Sequence, residues 1–109
     1  MIFDCNAVMP NRVLETETFS CLFETLESAE KEWIKKVIRQ LKRDFSVGKP
    51  LGFKWFLEKK FGGKRLYYLV YEKSSTVLLV AFGGKKDQQK IIAHVLQNKE
   101  RYKKIVEES

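Results

Sequence analysis

Between Phe53 and Phe82 the chain reads as three apolar runs cut by two turn signals, and this constrains the fold more than any other feature. Phe53 to Phe61 is followed by Gly62-Gly63, where both positions accept the positive φ that a tight two-residue turn requires. Arg65 to Lys73 is rich in Tyr, Leu and Val, and Ser74-Ser75 marks the next turn. Thr76 to Phe82 is apolar enough to be buried on both faces, and Gly83-Gly84 ends it. Runs joined by turns this short pair side by side in opposite directions, so a three-stranded antiparallel meander is expected.

The flanks change period. Asn11 to Glu17 reads as a short strand with Val13 turned inward. Thr18 is then expected to cap a short helix with Phe19, Leu22, Phe23 and Leu26 at i, i+3, i+4, i+7 spacing. Ser28 is the candidate cap of a second helix, whose stripe is Trp33, Ile34, Val37, Ile38, Leu41 and Phe45. Its opposite face carries Lys35, Lys36, Arg39, Lys42 and Arg43. The short connection makes the two helices an antiparallel hairpin. Val47-Gly48-Lys49-Pro50 breaks the pattern before the meander. From about Lys86 a last helix is expected, with Ile91, Ile92, Val95, Leu96, Tyr102, Ile105 and Val106 on one side. The order is strand, helical hairpin, meander, helix: an α+β fold with antiparallel pairing rather than a βαβ wind. At 109 residues it forms a single domain, 1–109, with residues 1–10 as an N-terminal extension.

Composition narrows the function classes. Twenty-one Lys and Arg against fourteen Asp and Glu give +7, which favours a polyanionic partner. No apolar run approaches the roughly twenty residues of a membrane helix, so no membrane partner is expected. The start, with Asp4 and no basic flank, is not a secretory signal. Cys5 and Cys21 make neither a metal-ligand spacing nor a disulfide framework. A reduced, cytoplasmic setting follows, with Cys21 expected to pack as a small apolar residue. His94 stands alone beside an apolar helical stripe. With no paired-carboxylate spacing, Gly-rich phosphate loop or nucleophile elbow, no metal and no cofactor are expected.

The chemistry-bearing residues gather around the meander. Lys54, Lys59 and Lys60 fall on its first strand, Lys64 and Arg65 follow the turn, and Lys85 and Lys86 lie just past the third strand. Alternation sends Lys59 and Lys60 to opposite faces. The hairpin still brings residues 59 to 65 together, and Lys85 and Lys86 join them if the third strand ends at the same edge. Tyr67, Tyr68 and Tyr71 add rings and hydroxyls able to stack on bases or orient phosphates.

The ordered series resembles the RelE/ParE superfamily of toxins, archaeal RelE-like members in particular. It consists of the helical hairpin, the "GKPL" break, the "GKRLYYLVYE" turn and aromatic strand, an apolar strand and "KKDQQ" opening the last helix. The resemblance covers about residues 11 to 107. It implies a toxin neutralised by a cognate antitoxin: a RelE-like endoribonuclease that cleaves mRNA on the ribosome, or a ParE-like, non-enzymatic inhibitor of DNA gyrase. A non-toxic, basic RNA-binding module is the alternative outside the toxins. The first reading implies Lys60, Arg65 and Lys86 as catalytic cations, with Lys54, Lys59, Lys64, Tyr67, Tyr71 and Lys85 binding RNA. A Lys crowded by other cations has a lowered pKa and is able to act as base. Three departures stand out: Tyr68 where the family often has Arg, Ile91 and Ile92 where it often has Tyr or His, and Leu57 where archaeal members often show Arg.

Overall fold

The computed structural model of the chain describes residues 10–109. Cys5 and nearly all of the expected N-terminal extension lie outside that range. Among the described residues five strands form one sheet in the order β1-β5-β4-β3-β2: β1 is Arg12–Glu15, β2 Lys49–Phe53, β3 Phe56–Phe61, β4 Lys64–Tyr71 and β5 Thr76–Gly84. Helices α1 (Glu17–Glu24) and α2 (Ser28–Leu41) cover one face; α3 (Gln88–Gln97) and α4 (Lys99–Glu108) cover the other.

The α+β architecture agrees with the expectation. The meander gains one strand, because Lys49-Pro50-Leu51-Gly52-Phe53 pairs antiparallel with β3 as the edge strand β2. Pro50 is tolerated there since an edge strand leaves one row of backbone groups unpaired. Gly52 at φ +90° lies within a register shift between Pro50 and Phe53, the sign of a bulge. Lys54 therefore sits in the tight β2–β3 turn and not on a strand. The Phe61↔Lys64 pair closes a two-residue loop in which Gly62, at φ +59°, takes the left-handed conformation. Antiparallel pairing holds for β2 to β5, whereas β1 runs parallel to β5, with Arg12 opposite Thr76.

Local signals moved the helix boundaries. The α1 cap is Thr16 rather than Thr18: its backbone is extended and its hydroxyl accepts from the Phe19 N–H at 3.0 Å. Helix α2 is capped by Glu27 rather than Ser28, through a reciprocal capping box with Glu30. The last helix breaks in two at Asn98, whose side-chain amide donates to the His94 carbonyl at 2.8 Å. Cys21 is exposed, since it lies two residues from inward-facing Phe19 and so on the outer side of α1.

The sheet separates two cores. On the hairpin side Phe19, Ile34, Val37 and Leu41 pack over Leu57, Leu66, Tyr68, Val70, Val77, Leu79 and Phe82. On the other side Val95, Tyr102 and Val106 pack over Phe56, Tyr67, Leu69, Leu78 and Val80. Strand alternation gives each strand residues for both cores, which is why β4 and β5 are apolar almost throughout. None of the described helices is long and apolar enough to cross a membrane.

Candidate functional site

The register fixes which cations meet. Lys60 lies opposite Arg65, and Arg65 lies opposite Gly83 on β5. Gly84 pairs with Lys64, so β5 ends at the hairpin edge and delivers the turn carrying Lys85 and Lys86 there. Lys60, Lys85 and Lys86 are exposed. Lys59 and Lys64 belong to the opposite, hairpin-covered face. The Lys59 ammonium donates to the Val47 carbonyl at 3.2 Å. Lys64 holds the nearly buried Glu30 and lies 5.7 Å from the centre of the Phe82 ring. That hydrogen bond is the chief reason the Glu30 carboxyl is held below its ordinary range. The cations thus form two groups back to back across the sheet, as the alternation of Lys59 and Lys60 requires.

Arg65 has a partner that cation spacing alone does not reveal. Its Nε lies 2.8 Å from Oε1 of Glu58, and both side chains are almost out of solvent, at 11% and 8% exposure. The Nε–H points off the line to the carboxylate, so the contact is an ion pair without a hydrogen bond through Nε. Gln88, the first residue of α3, donates from Nε2 to the same Oε1 at 2.9 Å. Oε2 receives no hydrogen bond from the described residues. Tyr67 lies opposite Glu58 in the register. Its ring is fully buried, and its hydroxyl is enclosed beside Gln88 without a well-formed hydrogen bond among the described residues. Burial first, then the charge of Glu58, pushes that hydroxyl's pKa up. A ring with no open face has no room for a base, so Tyr67 meets the site through its hydroxyl alone.

Tyr71 is half-buried, and burial raises its pKa to about 12. It lies at the far end of β4 from Arg65, beside Tyr102 of α4. Lys54, in the β2–β3 turn, is also remote from Arg65, at the other end of β3. Glu58 and Gln88 are the residues that sequence reasoning missed. Glu58 carried a signal: a two-residue turn at Gly62-Gly63 places 58 opposite 67 and on the same face as 60 and 65. No group of three or more His, Cys, Asp or Glu suited to a metal ion occurs among the described residues.

This end of the sheet presents Lys60, Lys85 and Lys86 at the rim, Arg65 behind them, and beside Arg65 the buried Glu58, one of whose oxygens accepts no hydrogen bond from the described residues. No protein-family model matches the chain, and no curated protein matches it in sequence. Solved structures do match. A doubly substituted E. coli RelE toxin in the free state superposes with a TM-score of 0.69 at 19% identity, over 83% of this chain and 98% of that one. The chain has the RelE fold. The archaeal RelE–RelB complex of Pyrococcus horikoshii matches at TM-score 0.61 and 15% identity, over 71% of this chain and 97% of that one. The Mycobacterium tuberculosis RelBE2 toxin–antitoxin complex matches at 0.60 and 22%, over 70% and 99%. At these identities it is the RelE fold that is shared, and nearly the whole of each RelE-fold chain is accounted for.

Proposed function

We propose that the chain is the toxin of a toxin–antitoxin pair and cleaves mRNA on the ribosome, held inactive in the cytoplasm by a cognate antitoxin. The supporting observation is the RelE fold over 97–99% of toxin chains from three organisms, with a cation-rimmed site at the β3–β4–β5 edge. In the reaction the substrate's 2′-hydroxyl attacks its own 3′-phosphate, and the bond to the 5′-oxygen of the next nucleotide breaks. This leaves a 2′,3′-cyclic phosphate and a 5′-hydroxyl. The 2′-proton goes to Oε2 of Glu58, the 5′-oxygen takes a proton from Lys86 or water, and Lys60 and Arg65 stabilise the charge on the phosphorane. Gln88 and Arg65 fix Oε1, which orients Oε2.

Expression in a host without the antitoxin tests this. Lys60→Ala and Lys86→Ala each remove an exposed cation and are expected to weaken growth arrest without loss of folded protein. Arg65→Ala is expected to abolish arrest; because it strips Glu58 of its ion-pair partner, its folding is checked by thermal unfolding. Undiminished arrest in all three folded variants refutes the catalytic reading and leaves a protein-binding toxin of the ParE kind.

A further inference from the structure

The mechanism leaves unused the outer face of α2 and the turn after it. Lys35, Lys36, Arg39, Lys42 and Arg43 are all exposed. At 100° per residue Lys35, Lys36 and Arg39 fall within an arc of about 100° on α2, and Lys42 and Arg43 follow in the turn that ends it. From Trp33 to Arg43 there is no acidic residue. Glu32 shares the arc at its N-terminal end and is engaged by Lys35 at 3.4 Å. Asp44 follows the arc with its carboxylate taken by the Ser46 hydroxyl and N–H. Lys36, Arg39, Lys42 and Arg43 have no ion-pair partner among the described residues. The stripe ends at a groove of about 470 Å³ where Arg43 and Lys54 are balanced by Asp44 and Glu72, so the run of unpaired cations stops there.

We infer that this stripe is a second nucleic-acid contact, on the face of the sheet opposite Arg65, and that it takes the phosphate backbone of double-helical RNA. An acidic peptide needs apolar anchors to bind well, and the large apolar side chains exposed among the described residues, Phe53 and Leu96, are not on α2. Single strands are held by stacking on rings, whereas Trp33 and Phe45 pack into the hairpin-side core. Unpaired cations in a row, without rings or anchors, match a duplex backbone, where binding is driven by release of condensed counterions. The choice of RNA over DNA rests on the function proposed above; the polyanion contact does not. A chain with these two faces grips a structured RNA with one while the other engages the strand to be cut.

The test uses purified chain and an RNA duplex of about 16 base pairs, with affinity read by fluorescence anisotropy between about 50 and 200 mM salt. The triple variant Lys36→Ala/Arg39→Ala/Arg43→Ala is expected to bind at least tenfold more weakly at the midpoint salt. Its log–log salt slope should be shallower by about 2–3, at about 0.9 for each phosphate no longer neutralised. A charge-matched triple on α3 and α4, Lys90→Ala/Lys103→Ala/Lys104→Ala, is expected to stay within about twofold of the parent. It should also keep the parent's slope, since only cations that neutralise duplex phosphates release counterions on binding. Equal losses in the two triples mean bulk charge and overturn the inference, as does no loss in the first. Equal affinity of the parent for a DNA duplex of the same sequence overturns the assignment to RNA. The binding assay needs neither growth arrest nor cleavage, so its failure is separable from failure of the toxin reading.

Discussion

Removing one oxygen atom from the hairpin-side core is expected to loosen the link between α2 and the sheet. The Tyr68 hydroxyl donates to the Phe45 carbonyl at 2.8 Å and accepts from the Gly48 N–H at 2.9 Å. It thereby ties down the short helical turn, Phe45–Val47, that leads from α2 into β2. Tyr68→Phe keeps the ring, which is fully buried, so no cavity opens and the change is confined to two hydrogen bonds. Each is worth about 0.5–1.5 kcal/mol net, and the deserted partners are half-buried, which places the loss at about 2 kcal/mol. Unfolding entropy of about 2.1 cal/mol/K per residue gives about 0.23 kcal/mol/K for a chain of this length, so Tm is expected to fall by about 9 °C. Calorimetry measures that fall, and hydrogen exchange at the Gly48 amide should speed up in the same variant. A Tm within a degree or two of the parent, with the Gly48 amide still protected, refutes the account.

Other outcomes follow from neighbouring features. Gly48→Ala places a Cβ 2.5 Å from the Glu58 carbonyl oxygen and 2.8 Å from the Tyr68 hydroxyl; the first is backbone and cannot yield, so denaturant unfolding should show a loss of about 2–3 kcal/mol. Burial raises the pKa of both Tyr68 and Tyr71 from 10 to about 12. The unfolded chain therefore releases these protons first, and stability holds below pH 10 and falls as pH rises toward about 12. Urea midpoints across that range check the fall, which should be shallower in Tyr68→Phe. Glu58→Gln keeps the shape at Arg65 but removes the proton acceptor; it is expected to abolish cleavage while leaving RNA binding in place, and unchanged cleavage in a ribosome-dependent assay removes Glu58 from the chemistry.

What the sequence disclosed, and what it hid, divides along physical lines. The meander and helical hairpin were legible because their information is local: Gly62-Gly63 permits a two-residue turn, and the Trp33 to Leu41 period admits one helical face. β2 was hidden because Pro50 and two glycines announce a break, and only the neighbouring strand β3 turns that break into a bulged edge. The direction of β1 was hidden because four residues carry no mark of the strand they will pair with. At the site, placing Lys60 opposite Arg65 and bringing Lys85 and Lys86 to the same edge needed only turn length and alternation. The opposite placement of Lys64 follows from the same alternation applied one residue further. Glu58 went unread because a single carboxylate among lysines carries no motif, although turn length and alternation place it on the face of Lys60 and Arg65.

The pairing of β1 with β5 sets a timetable for synthesis. Arg12 finds its partner in Thr76, 64 positions later, and ribosomes add about 5–20 residues per second. Between roughly 3 and 13 s therefore separate the emergence of the first strand from that of the strand it lies against. Through that interval α1 and α2 have no β5 to cover, β4 arrives only near its end, and the hairpin-side core lacks its full floor. Loop closure over such a separation also slows the last step of folding once the chain is complete. Until β5 has been made, a nascent chain of this topology has no assembled β3–β4–β5 edge.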